Sequence, residues 1–562
     1  MKFQDYKYTR PDYKEFKNKF VALVKEFDGA DSFEDCEKKL EDINSLRNHI
    51  LTMVVLVQIR HTIDTKDDFY NKEQEYWDEN IPLYEEINVL FYKSLMKSKF
   101  KNDLEKKHGK QLFKLIELKL KAFSPEIIED LQIENKVSSE YVKLIASARI
   151  PFHGKDRNLS ELMKYRQDKD RTIRKAAWDA TYKFFEDNMD KFDDIYDRLV
   201  KIRTNMARKL GFENFVELGY IRMSRTDYNA NMVAKFRQQV KDCIVPLASK
   251  LYKMQQERLE LDTLRYYDLD IEFNDGNATP KGDSKWIIDN GKKMYDELSP
   301  ETSEFFQFMI DHELLDLVTK EGKASGGYCT YIAEYESPFI FSNFNGTSGD
   351  VDVLTHEAGH AFQAYLSRWI TMFETIGATY ESAEIHSMSM EFLTWPWMEN
   401  FFKEDAKKYK FAHLGSAIKF IPYGVTVDEF QHFVYENPDI TPKERRKAWR
   451  DIEKKYLPHL DYEGNDFLEN GGYWFKQGHI FQDPFYYIDY TLAQICALQF
   501  WKMANEDRKK AWTHYLNLCK QGGTKSFLEQ VKVGNLISPF EEGCVKSIIG
   551  DIEKYFDENP MK

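Results

Sequence analysis

Positive charge is in short supply in this 562-residue chain: 80 Lys and Arg stand against 94 Asp and Glu, a formal net charge of −14. No basic run interleaved with aromatics occurs, so the electrostatic footprint of a nucleic-acid binder is missing. Cysteine is sparse as well. The six thiols (Cys36, Cys243, Cys329, Cys496, Cys519 and Cys544) are scattered, with no C-x-x-C pair. That pattern argues against a disulfide framework or a cysteine-ligated zinc and suits reduced thiols in a cytoplasm. Long apolar runs are also absent. The longest, around Leu51 to Ile59, is too short to cross a bilayer. The opening stretch from Met1 to Tyr8 has none of the apolar character of a secretory signal, so the expected location is cytoplasmic.

Helical rhythm is abundant. After Pro11-Asp12, apolar side chains fall at Tyr13, Phe16, Phe20, Leu23, Val24 and Phe27, the 3-4 spacing of one helix face. Similar rhythms run through 49–63, 83–95 and 112–120, and 159–210 reads as long charged surface helices with an apolar stripe. The chain is long enough for a large core and more than one region. We divide it into an N-terminal helical region, 1–205, and a second region, 206–562, near the helix stop at Lys209-Leu210-Gly211. Residues 274–284 read as a loop.

One segment departs from the helical theme. Between Gly326 and Gly346, β-formers and aromatics lie among Gly and Pro punctuation, which predicts two or three short strands. Such a strand, exposed at an edge beside a reactive centre, can align a peptide through main-chain hydrogen bonds. That reading makes Phe341, Asn343, Phe344, Asn345 and Gly346 the candidate substrate-binding residues; a purely structural hairpin is the alternative.

The next stretch is Val353-Leu354-Thr355-His356-Glu357-Ala358-Gly359-His360-Ala361-Phe362-Gln363. On a helix, positions four apart lie on nearly one face about 6 Å apart along the axis, so His356 and His360 can close on one zinc ion. Glu357, roughly 100° round the helix, is placed beside the ion without ligating it. Two histidines alone could be core residues; a carboxylate inside the same apolar run is costly unless paired or near a metal. H-E-x-x-H therefore predicts a metal helix with Glu357 as general base.

A catalytic zinc takes three protein ligands and keeps a position open. The extended metzincin pattern requires His at 366 and Gly at 363, where Leu366 and Gln363 stand, so that subclass is excluded. A following helix offers Glu381, Glu384, His386 and Glu391. Glu384 and Glu391, seven apart, share a face, so one can ligate while the other accepts a hydrogen bond from a ligand histidine. We assign Glu384 as ligand and Glu391 as its support, with Glu381 and His386 as the alternatives.

Farther on, Gln477-Gly478-His479 leads into Phe485-Tyr486-Tyr487-Ile488-Asp489-Tyr490. Neutral donors are suitable stabilisers of an oxyanion. Tyr486 and Tyr490, four apart, share a helical face, and Tyr487 is turned away from Tyr486 but lies three from Tyr490; aromatic packing is the competing explanation.

These motifs resemble the M3 metallopeptidases, the family of thimet oligopeptidase and the bacterial oligoendopeptidase F and Pz-peptidase enzymes. That family pairs H-E-x-G-H with a downstream E-x-x-S-x-x-x-E, here 356–360 and 384–391, with Gly359 and Ser387 both matching. The likeness is strongest over 320–500 and closest to the bacterial oligoendopeptidase branch. It implies a mainly α, multi-helical fold around a deep substrate channel, with a small sheet beside the metal helix. It also implies one zinc ion held by His356, His360 and Glu384, and cleavage inside short peptides. The family places a catalytic His and tyrosines in the last block, which favours His479 and Tyr490. Phe481 to Phe485 replace a glycine-rich loop there, leaving the second tyrosine open between Tyr486 and Tyr487. Pro422-Tyr423-Gly424 matches the bacterial branch but receives no chemical role, and His432 reads as a wall residue.

Two other classes share the central motif. One is an all-helical zinc carboxypeptidase. The other is a non-catalytic helical scaffold with a structural zinc, in which Glu357 would have no task.

Overall fold

The computed structural model describes residues 1–561. It is mainly α, with two small sheets. The rhythm after Pro11 becomes the helix Tyr13–Asp28, capped by Asp12, whose carboxylate accepts from the Glu15 N–H at 2.9 Å. The stretches 49–63 and 83–95 are the later parts of longer helices, Phe33–Ile63 and Asp68–Lys97. Each begins in a polar segment whose apolar stripe is too thin to announce itself. The region 159–210 contains three helices: Leu159–Arg166, Arg171–Asp187 and α2 (Met189–Lys209). The expected division at 205 therefore falls in the last turn of α2.

The apolar core runs without interruption from Tyr6 near one end to Phe556 near the other. Buried ion pairs cross between its parts. Arg203 on α2 is wholly buried and donates to Glu134 on α1 (Ile128–Ala146), to the Tyr435 hydroxyl and to the Phe481 carbonyl. A buried guanidinium persists only when its N–H groups find such partners.

The first sheet is a hairpin of β1 (Ile150–Phe152) and β2 (Lys155–Arg157), which the sequence does not announce. The second holds β3 (Leu315–Val318), β4 (Tyr328–Ile332) and β5 (Ser337–Phe344) in the order β3-β5-β4. β4 and β5 form the expected antiparallel hairpin, with Tyr328 opposite Phe341 and Ile332 opposite Ser337. β3 runs parallel to β5 on its other side, so β5 is the central strand. This corrects the expectation that Phe341 to Gly346 offer an exposed edge. Phe341 and Phe344 are buried, and the β5 backbone is taken up on both sides. The two edges facing away from β5 belong to β3 and β4.

β5 leads directly into α3 (Gly349–Leu366). Asp350 in the first turn accepts from the N–H groups of Asn345 (2.8 Å) and Gly346 (2.9 Å), and Gly346 takes a left-handed φ of 88° that favours glycine. Asn343 donates to the carbonyls of Ala324 and Gly326, holding the turn before β4. Asn345 and Gly346 thus fix a strand-to-helix corner, and Asn343 the loop that enters β4. α3 packs against α4 (Tyr380–Leu393), and α4 in turn against α6 (Tyr487–Glu506), which also contacts α5 (Ala406–Glu436). No described helix is long and apolar enough to cross a membrane.

Candidate active site

Gly359 explains how two helices come close enough to share a site. A Cβ there would lie 2.6 Å from Ser387 Cα and 2.7 Å from the His386 carbonyl oxygen, so α3 and α4 touch backbone to backbone. The Tyr515 hydroxyl donates to that same His386 carbonyl at 2.8 Å, bracing α4 from behind. This contact lets Glu384 reach across to the imidazoles.

One Glu384 carboxylate oxygen lies 3.3 Å from His356 Nε2 and 3.4 Å from His360 Nε2. Potential ligand atoms of the three residues all lie within 4.8 Å of one another. The Ser387 hydroxyl donates to the oxygen facing the imidazoles (2.9 Å) and Tyr486 to the other (2.5 Å). Burial works against charge on Glu384, but His360 and His356 hold its carboxyl well below the usual range.

On the far side of His356, Nδ1 lies 2.7 Å from Glu391 Oε1. The other Glu391 oxygen is 2.8 Å from His413 Nε2, and His413 Nδ1 accepts from the Trp395 indole N–H. His413 is therefore a donor to Glu391 through Nε2. With Glu391 taking the His356 Nδ1 proton, the His356 Nε2 lone pair is left pointing at Glu384. Imidazole lone pairs and a carboxylate aimed at one point repel each other unless a cation stands among them. The donor set fits a small divalent metal held by His356, His360 and Glu384.

The alternative ligands lie elsewhere. Glu381 is buried toward Asp489, and burial with that charge raises its pKa well above the ordinary value. His386 is fully buried and neither ring nitrogen has a hydrogen-bond partner among the described residues. Glu357 is 6% exposed and one of its oxygens has no hydrogen-bond partner. Burial raises its pKa, with His356 and His360 pulling the other way. A side chain at Gly327, just before β4, would come within 3.3 Å of the Glu357 carboxylate, so the free strand edge starts beside it.

The aromatic block closes the other side. His479, Tyr486 and Tyr490 form a triangle with ring centres 5.0 to 5.4 Å apart, and His479 Nε2 is 3.1 Å from the Tyr490 hydroxyl. Tyr486 reaches Glu384, whereas the Tyr487 ring packs on Phe420 and Tyr423. Two neighbours escape a sequence reading. The Tyr423 hydroxyl donates to Gln477 Oε1 at 2.8 Å, and Gln477 Nε2 contacts His479 Nδ1, also at 2.8 Å. An amide nitrogen only donates, so Nδ1 accepts and the ring proton is on Nε2. Burial lowers the His479 pKa, which favours this neutral form. His432 lies apart, bonded to the Tyr220 hydroxyl at 2.9 Å, its pKa pushed down to about 4 chiefly by burial.

Comparison with known proteins agrees with this arrangement. The pattern of the peptidase M3 N-terminal domain matches residues 3–123, and that of peptidase family M3 matches 164–283 and 292–548. Among solved structures, Pz peptidase A with an inhibitor is 58% identical, covers 99% of both chains and superposes with a TM-score of 0.98. A Bacillus anthracis str. Ames structure bearing the name oligoendopeptidase F is 55% identical over 100% of this chain and 99% of that one, with a TM-score of 0.94. An oligoendopeptidase F homolog of Borreliella burgdorferi is 22% identical over 382 residues, 65% of this chain. That match spans 62% of the relative's own length. With a family pattern covering most of its length and the donor set of 356–360 and 384 assembled in space, the chain belongs to peptidase family M3.

Proposed function

We propose that the protein is a zinc-dependent endopeptidase that cleaves short peptides in the cytoplasm, six unpaired cysteines being in keeping with that compartment. The observation carrying the chemistry is the convergence of His356 Nε2, His360 Nε2 and a Glu384 oxygen beside a buried, under-bonded Glu357. His356, His360 and Glu384 would hold the zinc, with Glu391 fixing His356. When bound, zinc supplies Lewis acidity, polarising the scissile carbonyl and acidifying water.

Glu357 takes a proton from the attacking water as its oxygen bonds to the carbonyl carbon. It then delivers that proton to the amide nitrogen as the C–N bond breaks; the second water proton leaves the new carboxylic acid for the amine, giving a carboxylate and an ammonium group. The developing oxyanion meets neutral donors, His479 Nε2–H and the Tyr490 hydroxyl, with Tyr486 alongside. The β4 edge, Tyr328–Ile332, pairs with the substrate backbone and aligns it past Glu357. Main-chain pairing reads no particular side chain, which suits a peptidase acting on varied sequences.

The test is mass spectrometry of a mixed peptide library incubated with zinc-loaded protein and with zinc-loaded Glu357→Gln. Internal cuts by the native protein, and metal retention without turnover in the variant, are expected. Equal cleavage by both removes Glu357 as the base; removal of single residues from the C-terminus alone identifies a carboxypeptidase.

A further inference from the structure

Lys476 is a cation without a counter-ion on the wall that carries His479. Its ammonium lies 3.8 Å from the centre of the Tyr473 ring, 5.7 Å from that of Tyr423 and 5.8 Å from Trp178. Among the described residues, no group hydrogen-bonds to it. The acids nearest in charge effect are engaged elsewhere. Asp270 binds Arg166 at 2.6 Å; Glu453 binds Arg450 at 2.8 Å and accepts from Trp449 and Tyr462. Arg166 itself stacks on Trp178 at 3.8 Å, so one indole carries two cations in its neighbourhood.

A simple packing role leaves the arrangement costly. An ammonium turned inward among three rings gains some cation–π attraction, but an ion without a hydrogen-bonding partner is expensive away from bulk water. Lys476 is nevertheless only partly covered, as are Tyr423, Tyr473, Gln477 and His479 near it in sequence or contact, and Tyr487 beyond Tyr423. The Tyr423 ring centre is 5.6 Å from that of Tyr487, which is 5.2 Å from that of His479. This solvent-reached wall thus joins the ammonium to the candidate centre. Burial and the nearby Arg166 draw the Lys476 pKa down to about 7, and an arriving anion would hold it protonated.

We propose that Lys476 is a carboxylate subsite that anchors a peptide substrate along the wall it shares with His479. The inference rests on the peptidase reading and deepens it. The carboxylate is either the peptide's C-terminus or a Glu or Asp side chain, and the test separates them.

Zinc-loaded protein is given one cleavable peptide as free acid and as amide, then amidated peptides with Glu or Gln at successive positions, with cuts followed by mass spectrometry. A carboxylate at the favoured place is expected to raise kcat/KM by about 10- to 100-fold, the range of a charge-assisted hydrogen bond. A free-acid preference identifies the terminus; a preference for Glu at one position identifies a side chain. Lys476→Met is expected to collapse the preference toward one, and Lys476→Arg to retain most of it. Equal kcat/KM for every pair in the native protein, or an undiminished preference in Lys476→Met, overturns the subsite. Absence of any cleavage by the native protein overturns the peptidase reading itself, and the subsite with it.

Discussion

Replacing Gln477 by leucine or glutamate changes which nitrogen of His479 carries hydrogen while leaving the three metal donors in place. In the native chain the Tyr423 hydroxyl fixes the amide's orientation, the amide donates to Nδ1, and Nε2–H faces Tyr490. Leucine removes one neutral hydrogen bond, worth about 0.5–1.5 kcal/mol net, so kcat should fall by up to about 10-fold as the tautomers become comparable. Glutamate reverses the bond. Its carboxylate favours the Nδ1–H tautomer by about 1.5–3 kcal/mol and presents an Nε2 lone pair to the oxyanion, a loss of about 10- to 150-fold. Glutamate also raises the His479 pKa, and the imidazolium carries a donor on both nitrogens. Activity of Gln477→Glu is therefore present below that raised pKa and lost as pH rises through it. The native protein lacks this alkaline limb, because with Gln477 donating to Nδ1 the neutral imidazole still carries its Nε2–H, and burial favours that neutral form. The assay is kcat against pH for one peptide, with circular dichroism and metal content measured in parallel. A leucine variant turning over at the native rate, together with a glutamate variant whose profile superimposes on the native one, refutes the tautomer argument.

Gly359→Ala places a methyl group 2.6 Å from backbone, forcing α3 and α4 apart; stability should fall by about 1–3 kcal/mol and zinc affinity by about 10- to 100-fold, read by denaturant midpoint and chelator competition. Because burial raises the Glu357 pKa, the acid limb of kcat/KM should lie above the ordinary carboxylate value of about 4.3, activity falling as pH drops through it; a limb at or below that value contradicts the assignment. Arg203→Met leaves buried Glu134 with Arg222 alone and takes the donor from the Tyr435 hydroxyl and the Phe481 carbonyl, which should cost about 1–3 kcal/mol in a chemical denaturation curve; an unchanged midpoint contradicts a buried network centred on Arg203.

What the sequence made legible follows from periodicity. Four residues separate His356 from His360 and seven separate Glu384 from Glu391, and a helix converts both intervals into one face without knowledge of the rest of the fold. Periodicity leaves Tyr486 and Tyr487 open, because positions three and four before Tyr490 both adjoin it on a helix; only in space is it Tyr486 that reaches Glu384. The choice of Gly359 is visible as a motif letter, but its cause, the Ser387 backbone pressed against it, appears only in three dimensions.

The misplaced edge strand has the opposite origin. The hairpin between Gly326 and Phe344 is local and was readable; β3 is four residues long and joins β5 in parallel from across a loop, a pairing that no hairpin signal marks. Once β3 takes the outer side of β5, that strand has no free edge, the free edge that starts beside Glu357 is the one of β4, and Phe341 becomes core. Gln477 and Tyr423 are 54 residues apart, and His413 is 22 from Glu391, separations with no periodic meaning. Yet these residues determine proton positions on His479 and His356. Residues that meet a reacting atom must have a particular chemistry and so leave a pattern. Those that orient them need only supply a hydrogen bond from any direction, and the chain can furnish that from almost anywhere.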